Sequence, residues 1–101
     1  MLRRNFSGPK HQPQPEHLNI FGKVHGGVLM TLMDTTMAWA VLSAAGEGTN
    51  CSTVNMEIQY PRPAKGPVFT CEAQVVHCTG RSCFVRGESR DKEGGVVAMA
   101  Q

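Results

Sequence analysis

Two groups, eight residues apart, could do chemistry in this chain. The first is the pair Gly26-Gly27, preceded by His25. Paired glycines ahead of a helix turn the backbone tightly and leave N–H groups open. The helix macrodipole favours negative charge at the same place. A backbone N–H at Gly26 or Gly27 could therefore stabilise an oxyanion; the alternative is that the glycines serve only the turn. The second group is Asp34, the single charge in the apolar run of residues 28–45. A carboxylate in that setting is costly unless paired or used. Desolvation raises its pKa and nearby donors lower it, which makes it a candidate general base for activating water. The alternative is a carboxylate satisfied by Thr35, Thr36 or backbone, with structural work only.

Both groups sit on one predicted helix. Leu29, Met33, Met37 and Val41 recur at four-residue spacing, which fits a helical period. The opposite side carries Ala38, Trp39, Ala40 and Leu42, and a helix apolar all round is expected to be buried all round. Eight residues of helix separate Gly26 from Asp34 by about 12 Å. One reacting carbonyl cannot touch both groups of the same helix. If both act on one substrate, they come from two copies, and an isologous dimer with antiparallel helices would set each N-terminus near the other Asp34.

The rest of the chain has to wrap this helix. Residues 1–17 are polar and contain Pro9, Pro13 and Pro15, so they read as an extended arm outside a domain of residues 18–101. Gly46-Glu47-Gly48 ends the helix, with glycine as its left-handed cap. Residues 50–60 alternate, with Ser52, Val54, Met56, Ile58 and Tyr60 on one face, the period of a half-buried strand. Pro61, Pro63 and Gly66 break it. Further strands are expected over residues 68–79, 82–90 and 96–100, joined at Gly80-Arg81 and by the glycine-containing loop of residues 91–95. Consecutive strands with short turns pair antiparallel. The expected class is α+β: one long central helix wrapped by a curved antiparallel sheet of about four strands.

Several chemistries are excluded. The 101 residues make one domain, and a net charge of +2 with scattered basic residues demands no nucleic acid. No G-x-S-x-G elbow and no phosphate-binding loop is present. His25 and His77 lack partners at metal-ligand spacing, so no metal is expected. Cys51, Cys71, Cys78 and Cys83 form no C-x-x-C; they read as small buried hydrophobes in a reducing, cytoplasmic setting. The apolar run has the length of a membrane span. Asp34 near its middle, with Thr31, Thr35, Thr36 and Ser43 around it, argues for a core helix and no membrane. The N-terminus has no apolar run of the secretory type.

From Asn19 to Gln101 the sequence resembles the hotdog-fold acyl-CoA thioesterases of the phenylacetate-pathway and 4-hydroxybenzoyl-CoA type. The resemblance rests on Asn19 ahead of His25-Gly26-Gly27, on Asp34 at its spacing from Gly26, and on the strand Thr53-Val54-Asn55-Met56-Glu57-Ile58-Gln59-Tyr60. It continues through Pro63-Ala64-Lys65-Gly66, Gly80-Arg81 and Gly95-Val96-Val97-Ala98. It implies a hotdog fold, an obligate homodimer that is often a dimer of dimers (a homotetramer), and hydrolysis of an acyl-CoA to free acid and CoA. No cofactor is implied, since coenzyme A is part of the substrate. The family's general base or nucleophile falls on Asp34 and its oxyanion donor on the Gly26 N–H. Asn19, His25 and Thr53 match positions that hold the loop, the carbonyl or the water. Gly27, Met30 and Met37 are candidate acyl-group contacts, and Arg62, Lys65 and Arg81 candidate contacts for the CoA phosphates. Family members usually carry a first strand before the asparagine position, where this chain has only the proline-rich arm.

The expected activity is thus hydrolysis of an aryl- or medium-chain acyl-CoA at a dimer interface. Two alternatives stand beside it: a non-catalytic acyl-CoA binding module, and a hotdog hydratase or dehydratase. The first would attach a further domain, which residues 1–17 cannot build. The second needs an acid and a histidine together near the loop, where this chain has the amide of Asn19.

Overall fold

The computed structural model describes residues 5–7, 12–46, 48–65 and 68–101. Pro9, Glu47 and Gly66, which figure in the sequence reading, lie outside the described residues.

One helix, α1 (Gly26–Ala45), packs on a five-stranded sheet built from β1 (Asn5–Ser7), β2 (Ile58–Gln59), β3 (Thr70–Cys78), β4 (Cys83–Arg90) and β5 (Val96–Ala100). The order across the sheet is β1-β3-β4-β5-β2, and every neighbouring pair is antiparallel. The central meander β3-β4-β5 falls where the two-residue period puts it. Cys71, Ala73 and Val75 of β3 face inward and are buried, as are Ala98 and Ala100 of β5.

The helix lies close on this sheet because the strands beneath it carry small side chains. Gly87 of β4 sits directly under Met33 and Met37, and a Cβ there would come within 3.2 Å of both methionine side chains. Leu29, Met33, Thr36, Met37 and Ala40 form the buried stripe of α1. Leu29 packs with Val24, Ala64, Phe69, Val97 and Ala98 at the helix start; Met33, Met37 and Ala40 pack with β3 and Ala100 farther along. Each fully buried Leu or Phe contributes about 1.5–3 kcal/mol. The helix ends at Gly46, whose φ of 93° and ψ of −179° suit only glycine; that is an extended positive-φ turn rather than the left-handed cap expected.

Four sequence expectations are corrected. Within the stretch expected to be an arm, residues 5–7 belong to the domain: β1 pairs with β3, Phe6 opposite Ala73, and supplies an edge strand of the sheet. The strand expected over residues 50–60 shrinks to β2, which joins β5 and not β3. Glu57 pairs with Gln101 through both backbone bonds. Residues 50–56 run beyond that point with no strand among the described residues beside them, and Val54 is 91% exposed.

The helix is not buried all round: within one chain Trp39 is 52% and Met30 40% exposed. It is long and apolar enough to cross a membrane by length and composition, yet its buried stripe is the core of the domain. The fourth correction concerns the thiols. Cys78 and Cys83 face each other across β3 and β4 and are joined by a disulfide, leaving Cys71 buried and Cys51 exposed as free thiols.

Candidate active site

The loop before α1 is tied in place from both sides. Asn19 Oδ1 accepts the backbone N–H groups of Phe21 (2.8 Å) and Lys23 (3.1 Å), an Asx-type turn. The Asn19 N–H donates to the Lys23 carbonyl, Val24 N–H to Ala64 and His25 N–H to His17. Asn19 thus spends its carbonyl oxygen on the loop, leaving its amide NH2 as the group free to act. His25 is the N-cap residue, and its side chain makes no cap hydrogen bond. Val28 N–H closes on His25 O. The N–H groups of Gly26 and Gly27 donate to no acceptor among the described residues.

Of the two, Gly26 lines a cavity of about 460 Å³, together with Asn19, Phe21, Lys23, Tyr60 and Arg62, among others. A neighbouring cleft of about 390 Å³ shares Lys23 and Arg62 and adds Lys65, Asp91 and Glu93. The structure therefore brings together, at one end of the helix, Asn19, Gly26, Arg62 and Lys65 from the sequence reading. It also adds three residues that reading passed over. Phe21 and Lys23 lie in a stretch too mixed to show a period. Tyr60 was counted only as a strand residue.

Asp34 stands apart from this group, as the rise of the helix requires. It is half-buried, and Thr53 Oγ1 donates to its Oδ1 at 2.5 Å. The partner is Thr53, and not Thr35 or Thr36: Thr36 is buried and donates to the Leu32 carbonyl instead. Thr53 reaches Asp34 because the loop of residues 50–56 lies along this side of α1, where Cys51 Sγ also approaches Ala38 O at 3.8 Å.

The remaining candidates divide. Gly27 is exposed with open space where a Cβ would be. Met37 is a core residue over Gly87 and lines neither cavity. Arg81 lies on the exposed β3–β4 turn, whose Cys78 end packs against the second half of α1. It is therefore at the opposite end of the molecule from Arg62 and Lys65.

Arg62 is held by Asp91 at 2.8 Å. Asp91 Oδ1 accepts the N–H groups of Glu93 (3.0 Å) and Gly95 (2.9 Å), so one carboxylate closes the β4–β5 loop and anchors the arginine. A Cβ at Gly95 would collide with the Arg62 guanidinium. The Gly95 N–H first, with Arg62 and Glu93 N–H, holds the Asp91 carboxyl below the usual aspartate range. A carboxylate depressed in the folded state stabilises above its unfolded pKa of about 3.9 and loses that contribution as pH falls through its folded value. Asp91→Asn should therefore lower the urea midpoint at pH 6, and its deficit against the parent should shrink as pH drops below about 4. A deficit independent of pH would mean that the charge of Asp91 does no work.

Comparison with known proteins fits this geometry. Residues 21–98 match the thioesterase superfamily family model. The chain belongs to that superfamily. A protein of Halobacterium salinarum named as an esterase is 37% identical over 70 residues, 67% of this chain and 46% of its own length. The chain thus spans under half the length of that curated relative. Among solved structures, a thioesterase-named, phenylacetic acid degradation-related protein from Ralstonia eutropha superposes with a TM-score of 0.87 at 28% identity, covering 95% of this chain and 71% of that one. A Bacillus halodurans protein solved with CoA gives 0.85 at 30% identity, covering 90% and 60%. The superfamily member described here has their hotdog fold, the helix lying across a curved antiparallel sheet.

Proposed function

We propose that the protein hydrolyses an aryl- or medium-chain acyl-CoA thioester to the free acid and CoA, at a site shared between two copies of the chain. The observation that carries this reading is the division of labour along α1. Its first turn offers unpaired N–H groups beside a cavity, and its middle offers a carboxylate already hydrogen-bonded to a hydroxyl. Asp34 takes a proton from the attacking water while Thr53 orients the carboxylate. The water oxygen adds to the thioester carbonyl, the Gly26 N–H of the other chain holds the resulting oxyanion, and collapse expels the CoA thiolate, which leaves as the thiol after gaining a proton. His25 and the Asn19 amide orient carbonyl and loop.

The apolar side chains left open in one chain, Met30, Trp39, Val54 and Ile20 among them, give a second copy something to cover. Among the described residues β2 is an edge strand of the sheet, where a second copy could pair. Lys23, Arg62 and Lys65 supply positive charge at the cavity mouth, suited to the phosphates of CoA. With antiparallel helices, the turn bearing Arg81 would approach this mouth from the other copy. The phenylacetic acid connection of the Ralstonia relative favours an aryl group, and Met30 and Gly27, both exposed in the first turns of α1, are the residues assigned to it.

The test is free-thiol release across a panel of aryl- and alkyl-CoA esters. The expected result is turnover of at least one ester class. Tight CoA-ester binding without thiol release would overturn hydrolysis in favour of a binding module, and consumption of an enoyl-CoA without thiol would favour a hydratase.

A further inference from the structure

Tyr60 ends the strand motif Thr53–Tyr60 that is part of the family resemblance, yet the chemistry above gives it no task. Its hydroxyl donates to the Gly26 carbonyl at 2.7 Å. Its ring lies flush on the same residue: a Cβ on Gly26 would fall 2.9 Å from Tyr60 Cζ. Gly26 has three features a neighbour can hold, namely its Cα, its carbonyl and its N–H. Tyr60 occupies the first two, and the third is the one left open beside the cavity that Tyr60 itself lines. Burial pushes the Tyr60 hydroxyl above its ordinary value near 10, so it remains a donor throughout the working pH range.

The glycine is thus required for close packing as well as for turning. A side chain at position 26 would displace the ring that fixes the donor. The aromatic ring comes from the end of β2, across the sheet edge, so the helix start is held by an element distant in sequence. An oxyanion donor is effective only when its direction is set before the charge develops, and a misplacement of about 1 Å costs on the order of a hundredfold in rate.

We infer that Tyr60 is a positioning residue, which clamps Gly26 so that its N–H is aimed into the cavity as the oxyanion donor. The inference rests on the thioesterase reading. It adds that the tyrosine hydroxyl sets kcat without touching the substrate's charge. Tyr60→Phe keeps the ring and removes the hydroxyl, and should lower kcat about tenfold with KM changed less than about twofold. The pH profile keeps its shape, because the hydroxyl does not titrate in the reaction.

Tyr60→Ala removes ring and hydroxyl together. Gly26→Ala should be less harmful in the Tyr60→Ala background than alone, since the collision is gone, and the double-mutant cycle reads this coupling directly. A second readout is independent of turnover. The backbone order parameters of the Gly26 and Gly27 N–H groups should fall in Tyr60→Phe from about 0.85 toward about 0.6, with β3 unchanged. Parental kcat in Tyr60→Phe, or unchanged order parameters, would overturn the clamp. Failure of the parent protein to release thiol from any ester would instead overturn the thioesterase reading, and the order parameters would still decide the clamp.

Discussion

Asp34→Ala should lower kcat by about 10²–10⁴-fold, the range general-base catalysis supplies, while KM stays within about threefold. The proposed role confines Asp34 to the step in which water loses its proton, so binding of the ester should survive its loss. The fold should survive as well. Asp34 is half-buried at the flank of the core stripe of α1, and its hydrogen-bond partner is the exposed hydroxyl of Thr53. Removing it leaves a hydroxyl that water can satisfy, in place of an orphaned buried group. Asp34→Asn sharpens the test, because the amide keeps the size and can still accept from Thr53 but cannot take a proton. The two variants should therefore fall together. Thiol release by Asp34→Asn at near-parental rate would remove Asp34 from the mechanism and return it to the structural alternative.

The sequence exposed this site unevenly, for physical reasons. Asp34 was legible because one charge in a long apolar run has to be paired or used, and the pairing found is a single hydroxyl. Gly26 was legible as a helix start, though the reason it must be glycine was not. Tyr60 packs on it from 34 residues away, and no local pattern carries such a contact. Strands β3, β4 and β5 followed from their two-residue period, since each has a buried face and an open one.

The same period misled over residues 50–60. Alternation reports which face would be buried, not whether a partner strand exists within the chain. There, beyond the Glu57–Gln101 pair, none of the described residues supplies one. The all-round apolar helix misled for a related reason: part of its surface has no cover within one chain. Both failures lie on the surface that the proposed second copy would cover. The Cys78–Cys83 spacing fits no metal or redox motif; what pairs the two thiols is the turn at Gly80-Arg81, which puts the residues directly opposite each other.

Mixing two inactive variants should restore activity if the site is shared. Asp34→Ala removes the base. Gly26→Pro removes the oxyanion donor with little harm to the backbone. His25, at φ −59° and ψ 138°, already has the conformation that a residue before proline adopts, and Gly26 is the first helical residue, where proline is favoured. The remaining cost is a ring carbon pressing on Tyr60. Alone, Gly26→Pro should lower kcat about 10²–10³-fold, as loss of one oxyanion donor does. When the two variants exchange subunits at random, half of the dimers are mixed. In each mixed dimer one site pairs an intact Asp34 with an intact Gly26, and the other site carries both lesions. The mixture should therefore recover about one quarter of the parental rate per chain, the fraction set by two-fold symmetry. If Gly26 and its own Asp34 served one site, every site in a mixed dimer would carry a single lesion and nothing would be recovered. Native mass spectrometry showing mixed dimers, together with no gain in thiol release, would overturn the two-chain site even if Asp34 and Gly26 each proved essential.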